Sequence, residues 1–232
     1  NKTLTEAFTY FYTAIQPNIQ PYADKINRKL INCAYTAELD QDKYFTYLRS
    51  VKKSIDLFRE ENIPLFSELS VMQQQYGAIA GKMTIEVEGK EYTLQQASKF
   101  LESHERIIRE SVYRKVNARR LQDKDTLNDL FTKLIHKRHQ VALNAGFSNY
   151  RDYTFVEKGR FDYTKEDCFD FHEGVKRYVL PLVDIINKKK KKKLGLDILK
   201  PWDTEAEPEC VAPLRPFASG QELLEKSIVC FN

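Results

Sequence analysis

Four histidines, His104, His136, His139 and His172, are the first residues to test for chemistry. A helix that holds zinc for hydrolysis presents two histidines at i and i+4, both facing the metal. A glutamate after the first activates the bound water. His104 is followed by Glu105, but Ile108 stands where the second ligand belongs. His172 is followed by Glu173, but Lys176 takes the second place. His136 and His139 could share a helix face, yet Lys137 and Arg138 lie between them and Lys133 just before. Those cations repel a metal, and no neighbouring carboxylate completes a ligand set. The pairs His104-Glu105 and His172-Glu173 do not suit proton transfer either, because adjacent residues on a helix point apart. The histidines therefore assign no catalytic residue and no metal ligand, and no cofactor is expected in this chain.

The other reactive side chains say less. Cys33, Cys168, Cys210 and Cys230 form no CxxC unit, which favours reduced thiols and a cytoplasmic protein. Cys168 reads as a small buried hydrophobe. Glycine patterns for a phosphate loop, a dinucleotide fold or a serine elbow are missing. Net charge is +4, and Lys188 to Lys193 supply six cations, so the remainder is net negative by two. That single cluster argues against a nucleic-acid partner. It reads as a solvated helix end, where lysines complement the dipole by roughly 0.3–1 kcal/mol each; an anionic-surface binder is the alternative. An aromatic belt of Phe147, Tyr150, Tyr153, Phe155, Phe161 and Tyr163 could pack a core or line a peptide groove.

The elements that must position these residues are mostly helices. Hydrophobic residues make up 42% and charged residues 30% of 232, and Gly and Pro number 8 each, too few turn formers for an all-β protein. Thr3-x-x-Glu6 offers a cap for a first helix that Pro17 should end, and a second helical piece surrounds Tyr22 to Cys33. Phe45, Leu48, Val51, Ile55 and Phe58 recur at helical spacing until Pro64. A helix over 67–80 leads to Met83, Ile85 and Val87, whose alternation predicts a strand. Gly89-Lys90 turns it into Glu91-Tyr92-Thr93, and Thr93-x-x-Gln96 caps the next helix. Helices are expected over 103–121 and 125–145, with Gly146 as the left-handed stop. An irregular aromatic stretch over 147–163 follows. Thr164-x-x-Asp167 caps a long helix to about Lys193 that Pro181 should kink or split. Prolines 201, 208, 213 and 216 predict an extended connector over 200–217. Ser219-x-x-Glu222 opens a last helix carrying Leu223, Leu224, Ile228, Val229 and Phe231, which meets no stop signal before Asn232; a fragment of a longer protein is the expectation. No apolar run approaches the ~20 residues of a membrane span. The expected fold class is mainly α, a multi-helix array with one small hairpin at about 83–93, divided into a helical segment 1–66 and a body 67–232.

Several blocks recur in a telling order. Gly89-Lys90-Glu91-Tyr92-Thr93-Leu94 comes first, then Arg138-His139. Gly146-Phe147-Ser148-Asn149-Tyr150-Arg151-Asp152-Tyr153 and Arg160-Phe161-Asp162-Tyr163-Thr164 follow. Leu194-Gly195-Leu196-Asp197 and Lys200-Pro201-Trp202-Asp203 close the series. Over about Ser67 to Lys226 this succession resembles the oligoendopeptidase F family, relatives of thimet oligopeptidase. The resemblance implies part of a larger helical peptidase fold whose zinc enzyme cleaves short peptides. The family's His-Glu-x-x-His is missing here, so zinc belongs to the parent protein and this chain alone is expected to be inactive. By the same resemblance the chain supplies scaffold and groove wall, with Tyr150, Tyr153, Arg160 and Tyr163 as substrate-groove candidates. Its partners would be short peptides and the remainder of its own polypeptide, with no nucleic acid and no membrane. A helical binding module without catalysis is the alternative.

Overall fold

The computed structural model describes residues 2–208 and 216–231. In chain order the helices and strands are α1 (Lys2–Tyr10), α2 (Gln16–Ile31), α3 (Gln41–Leu57), α4 (Asn62–Gly81), β1 (Thr84–Val87), β2 (Lys90–Thr93), α5 (Leu94–Ala97), α6 (Arg106–Gln122), α7 (Lys124–Asn144), α8 (Tyr150–Glu157), α9 (Lys165–Gly174), α10 (Leu180–Lys193) and α11 (Gly220–Phe231). The chain is a helical array with a single two-stranded antiparallel sheet among the described residues.

Pro17, expected to end a helix, is instead carried within one, and Pro181 stands where the expected long helix is divided into α9 and α10. π-turns at Phe11–Ile15 and Val175–Val179 join α1 to α2 and α9 to α10. Gln16 donates its N–H to Phe11 O and Leu180 to Val175 O, each a five-residue step. Pro17 and Pro181 follow immediately. The ladder has already widened there, so the missing proline N–H interrupts nothing further. Thr3 lies inside α1 rather than at its cap. Pro64 likewise breaks nothing, because it sits in the first turn of α4, where a proline costs no helical bond.

Stop signals are better kept. Gly146, Gly159 and Gly195 have φ of +87°, +66° and +62°. After each, the next residue bonds five back: Phe147 to Ala142 O, Arg160 to Phe155 O, Leu196 to Lys191 O. All three are Schellman closures. The recurring Gly-Phe, Gly-Arg and Leu-Gly-Leu blocks are therefore helix ends. Asn149 then caps α8 by accepting from Asp152 N, so the stretch expected to be irregular contains a two-turn helix.

The core has two parts. Leu57 of α3, Leu69 and Met72 of α4, Leu130, Leu134, Val141 and Ala142 of α7, and Tyr153 of α8 pack together, joining residues on both sides of position 66. Asn62, fully buried, threads this core: its Nδ2 donates to Val141 O at 3.0 Å and its Oδ1 accepts from Asn144 Nδ2 at 2.8 Å. The second core lies under the hairpin, where Ile85 and Val87 meet Ala97 and Val112. The turn is Glu88-Gly89, both at positive φ, one residue earlier than the spacing suggested. Thr93 and Gln96 form the full reciprocal cap.

Candidate functional site

The aromatic belt divides between inside and surface. Tyr153 is buried, stacked on Tyr150 at 5.8 Å and edge-on to Phe147 at 5.7 Å. Burial pushes the Tyr153 phenol well above its ordinary pKa, with the Glu157 charge adding to this. Tyr150 is half-buried and lies under the Arg138 guanidinium at 5.9 Å. Beyond Gly159 the chain turns outward. Arg160 rests over Phe155 at 5.1 Å, and Tyr163 meets the same ring at 5.9 Å. Of the four groove candidates, Tyr150 and Tyr153 form one cluster, and Arg160 and Tyr163 share the second around Phe155.

Val156 and Phe161, neighbours in sequence of Phe155 and Arg160, line a groove that the sequence did not disclose. Helix α3 lies against α8, and Phe45, Leu48, Arg49, Lys52 and Val156 line, with Phe161, a cavity of about 360 Å³. The Arg49 guanidinium is held between Phe45 at 5.0 Å and Phe161 at 4.5 Å. Lys53 closes the far side by donating to Glu157 O at 2.8 Å, the C-terminal end of α8, where a cation complements the dipole. The i, i+4 spacing of Phe45 and Arg49 was visible in sequence; the third partner, 112 positions on from Arg49, was not.

The Lys200-Pro201-Trp202-Asp203 block is an anchor buried at Asp203, not an extended connector. It forms a short 3-10 turn whose Asp203 is fully buried against α6. Arg106 binds the carboxylate through two nitrogens, Nε at 3.1 Å and Nη2 at 2.9 Å. Arg109 adds Nη2 at 2.9 Å and the Lys200 backbone N–H adds a bond at 3.0 Å. Each carboxylate oxygen thus accepts two hydrogen bonds, as buried charge requires. Burial pushes the Asp203 carboxyl up, but the two guanidinium groups outweigh it and hold its pKa below the ordinary value. Arg109, itself buried, also donates to Ser103 O, His104 O and Trp202 O. Trp202 packs on Tyr113 and under Arg114. Of the expected connector, the stretch with Cys210 and Pro213 lies outside the described residues.

His136 and His139 are exposed on α7, and among the described residues no three His, Cys, Asp or Glu side chains gather as metal ligands. The described residues do not fit a zinc centre. In the lysine run, Lys190 is engaged: its Nζ bonds Thr204 O and lies 3.8 Å from Glu207. The other five are exposed. Cys168 is half-buried. No helix among the described residues is long and apolar enough to cross a membrane.

The model of peptidase family M3 matches residues 99–229, more than half of the chain. The chain belongs to peptidase family M3. The matched span includes the buried anchor, α8 and the three Schellman ends. Among solved structures, one assigned as an oligoendopeptidase F from Bacillus anthracis superposes with a TM-score of 0.87 at 20% identity, covering 97% of this chain and 41% of that one. A second structure assigned as an oligoendopeptidase F gives 0.84 at 19% identity, over 89% of this chain and 36% of the other. PZ peptidase A, solved with an inhibitor, gives 0.82 at 18%, over 88% and 36%. These likenesses establish the fold, a part of the helical M3 peptidase architecture. The chain spans about two fifths of the length of these structures. No curated protein matches it.

Proposed function

We propose that this chain forms the scaffold and one wall of the substrate groove of a zinc-dependent oligopeptidase that hydrolyses short peptides. The observation that carries the reading is the family match over 99–229 together with a fold shared with larger peptidases. The wall is the α3–α8 surface. Tyr150, Arg160 and Tyr163 offer aromatic and cationic contacts to an extended peptide, and Tyr153 holds Tyr150 from behind. Zinc would be held elsewhere in the parent polypeptide, and no step of hydrolysis is assigned to residues of this chain. Its contribution is positional, since an enzyme gains rate from substrate held in register.

The experiment is cleavage of an internally quenched peptide. The 232 residues by themselves, with Zn²⁺ added, are expected to leave it intact. A polypeptide carrying them together with a His-Glu-x-x-His helix is expected to cleave it and to stop when a chelator is added. Cleavage by the 232 residues alone, or chelator-resistant cleavage by the longer polypeptide, overturns the proposal.

A further inference from the structure

The Arg49 side chain is held in an unusual way. The guanidinium carbon lies over two rings, that of Phe45, one turn back on α3, at 5.0 Å and that of Phe161, from the loop after α8, at 4.5 Å. Cation–π contact of this kind occupies no N–H donor and leaves those groups to bond something else. Little else is there. Nη1 reaches the exposed Asp162 at a long 3.4 Å. Nε is buried without an acceptor, and Nη2 has no acceptor among the described residues. A buried donor left unpaired is costly until a partner arrives. Lys52 on the same groove is exposed and also without a partner among the described residues; the lining cations Arg49, Lys52 and Lys53 outnumber its one carboxylate, Asp56, so the local charge remains positive. Leu48 and Val156 supply an apolar floor.

A guanidinium whose planar edge is fixed and under-bonded fits a carboxylate, which accepts two parallel N–H bonds. We propose that this groove binds the C-terminal carboxylate of a short peptide, with Arg49 as the fork, Lys52 adding charge and Leu48 and Val156 contacting the last side chain. The proposal rests on the peptide-substrate reading above and names which end of the peptide this wall takes. Arg49 acts here as a binding residue and has no part in bond cleavage.

The test is fluorescence anisotropy on the full 232-residue chain. Three N-terminally labelled peptides of one sequence are used: the free acid, its C-terminal amide, and an amide whose last residue is glutamate. The free acid is expected to bind about tenfold more tightly than the plain amide, the scale of a charge-assisted fork worth about 1.4 kcal/mol. Arg49→Met should abolish that preference. Arg49→Lys, which keeps the charge and guards against misfolding, should lose most of it while circular dichroism stays unchanged. Lys52→Met should leave the preference in place. Equal binding of acid and plain amide overturns the proposal but leaves the peptide reading standing. Equal losses in Arg49→Met and Lys52→Met overturn it in favour of a diffuse positive field. A glutamate-ended amide that binds like the acid overturns the chain-end assignment. Failure of every peptide to bind overturns this proposal and counts against the peptide-wall reading as well.

Discussion

Asp203 shows what one buried carboxylate can hold. It ties the turn after α10 to α6 through two arginines, one of them equally buried. Removing a single partner leaves an unpaired charge in the interior, which typically costs about 3–5 kcal/mol. Asp203→Ala should therefore lower the unfolding free energy obtained from urea denaturation by that much. Asp203→Leu combined with Arg109→Met should cost less than the sum of the single changes, since the partners share one network. Additive losses would mean that the pair is not coupled. The pH dependence follows from the lowered Asp203 pKa. A carboxylate more acidic when folded than when unfolded stabilises the fold above its unfolded value. That contribution falls away as pH drops below about 4 and through the depressed value. Urea midpoints measured from pH 6 downward should show this loss in the native chain and a smaller one in Asp203→Asn. Asn62 makes the same argument without charge. Asn62→Ala strands the interior partners Val141 O and Asn144 and should cost about 1–3 kcal/mol by urea melting.

At the scale of elements, helix ends carry the family blocks. Gly146 needs φ of +87° so that Phe147 can bond back to Ala142 O. A side chain there costs about 1–2 kcal/mol through the clash of Cβ with the next carbonyl, and the surroundings offer nothing in return. Gly146→Ala should lower thermal stability accordingly; an unchanged melting temperature would mean the αL closure is not needed. Such closures are local, so much of them was legible in sequence: the Thr93, Thr164 and Ser219 caps and the Gly146 stop all stand where the spacing put them, and the hairpin turn is one residue away. Pro17 ends no helix because the rule assumes an unbroken i→i−4 ladder, and the π-turn before it had already broken that ladder. Asn62 went unseen because it pairs with residues about eighty positions away. The Lys200–Asp203 anchor was taken for a connector for the same reason: prolines are visible locally, whereas the arginines that bury Asp203 lie on another helix. The Arg49 groove needs Phe161 to close, and no window of sequence joins the two.

For the whole molecule, the unevenness of burial matters most. The two cores gather on α3 to α8, whereas α9, α10 and α11 bury no residue. Phe171, Tyr178, Leu182, Ile186, Leu224, Val229 and Phe231 are all more than half exposed. Single exposed apolar residues are ordinary, but contiguous helical faces of them mark surfaces that function in contact. In the matched solved structures this fold occupies about two fifths of the chain. The 232 residues studied alone should accordingly bind a hydrophobic dye and self-associate as concentration rises. Leu182→Glu with Ile186→Lys on α10 should suppress both effects. The melting temperature should fall little, because neither side chain contributes to a core and surface changes away from packing usually stay within about 0.5 kcal/mol. Sedimentation velocity across a concentration series reads the outcome. A monomer at every concentration, or a variant that melts much earlier than the native chain, would show that these faces are not open docking surfaces and that the stability of α10 depends on them.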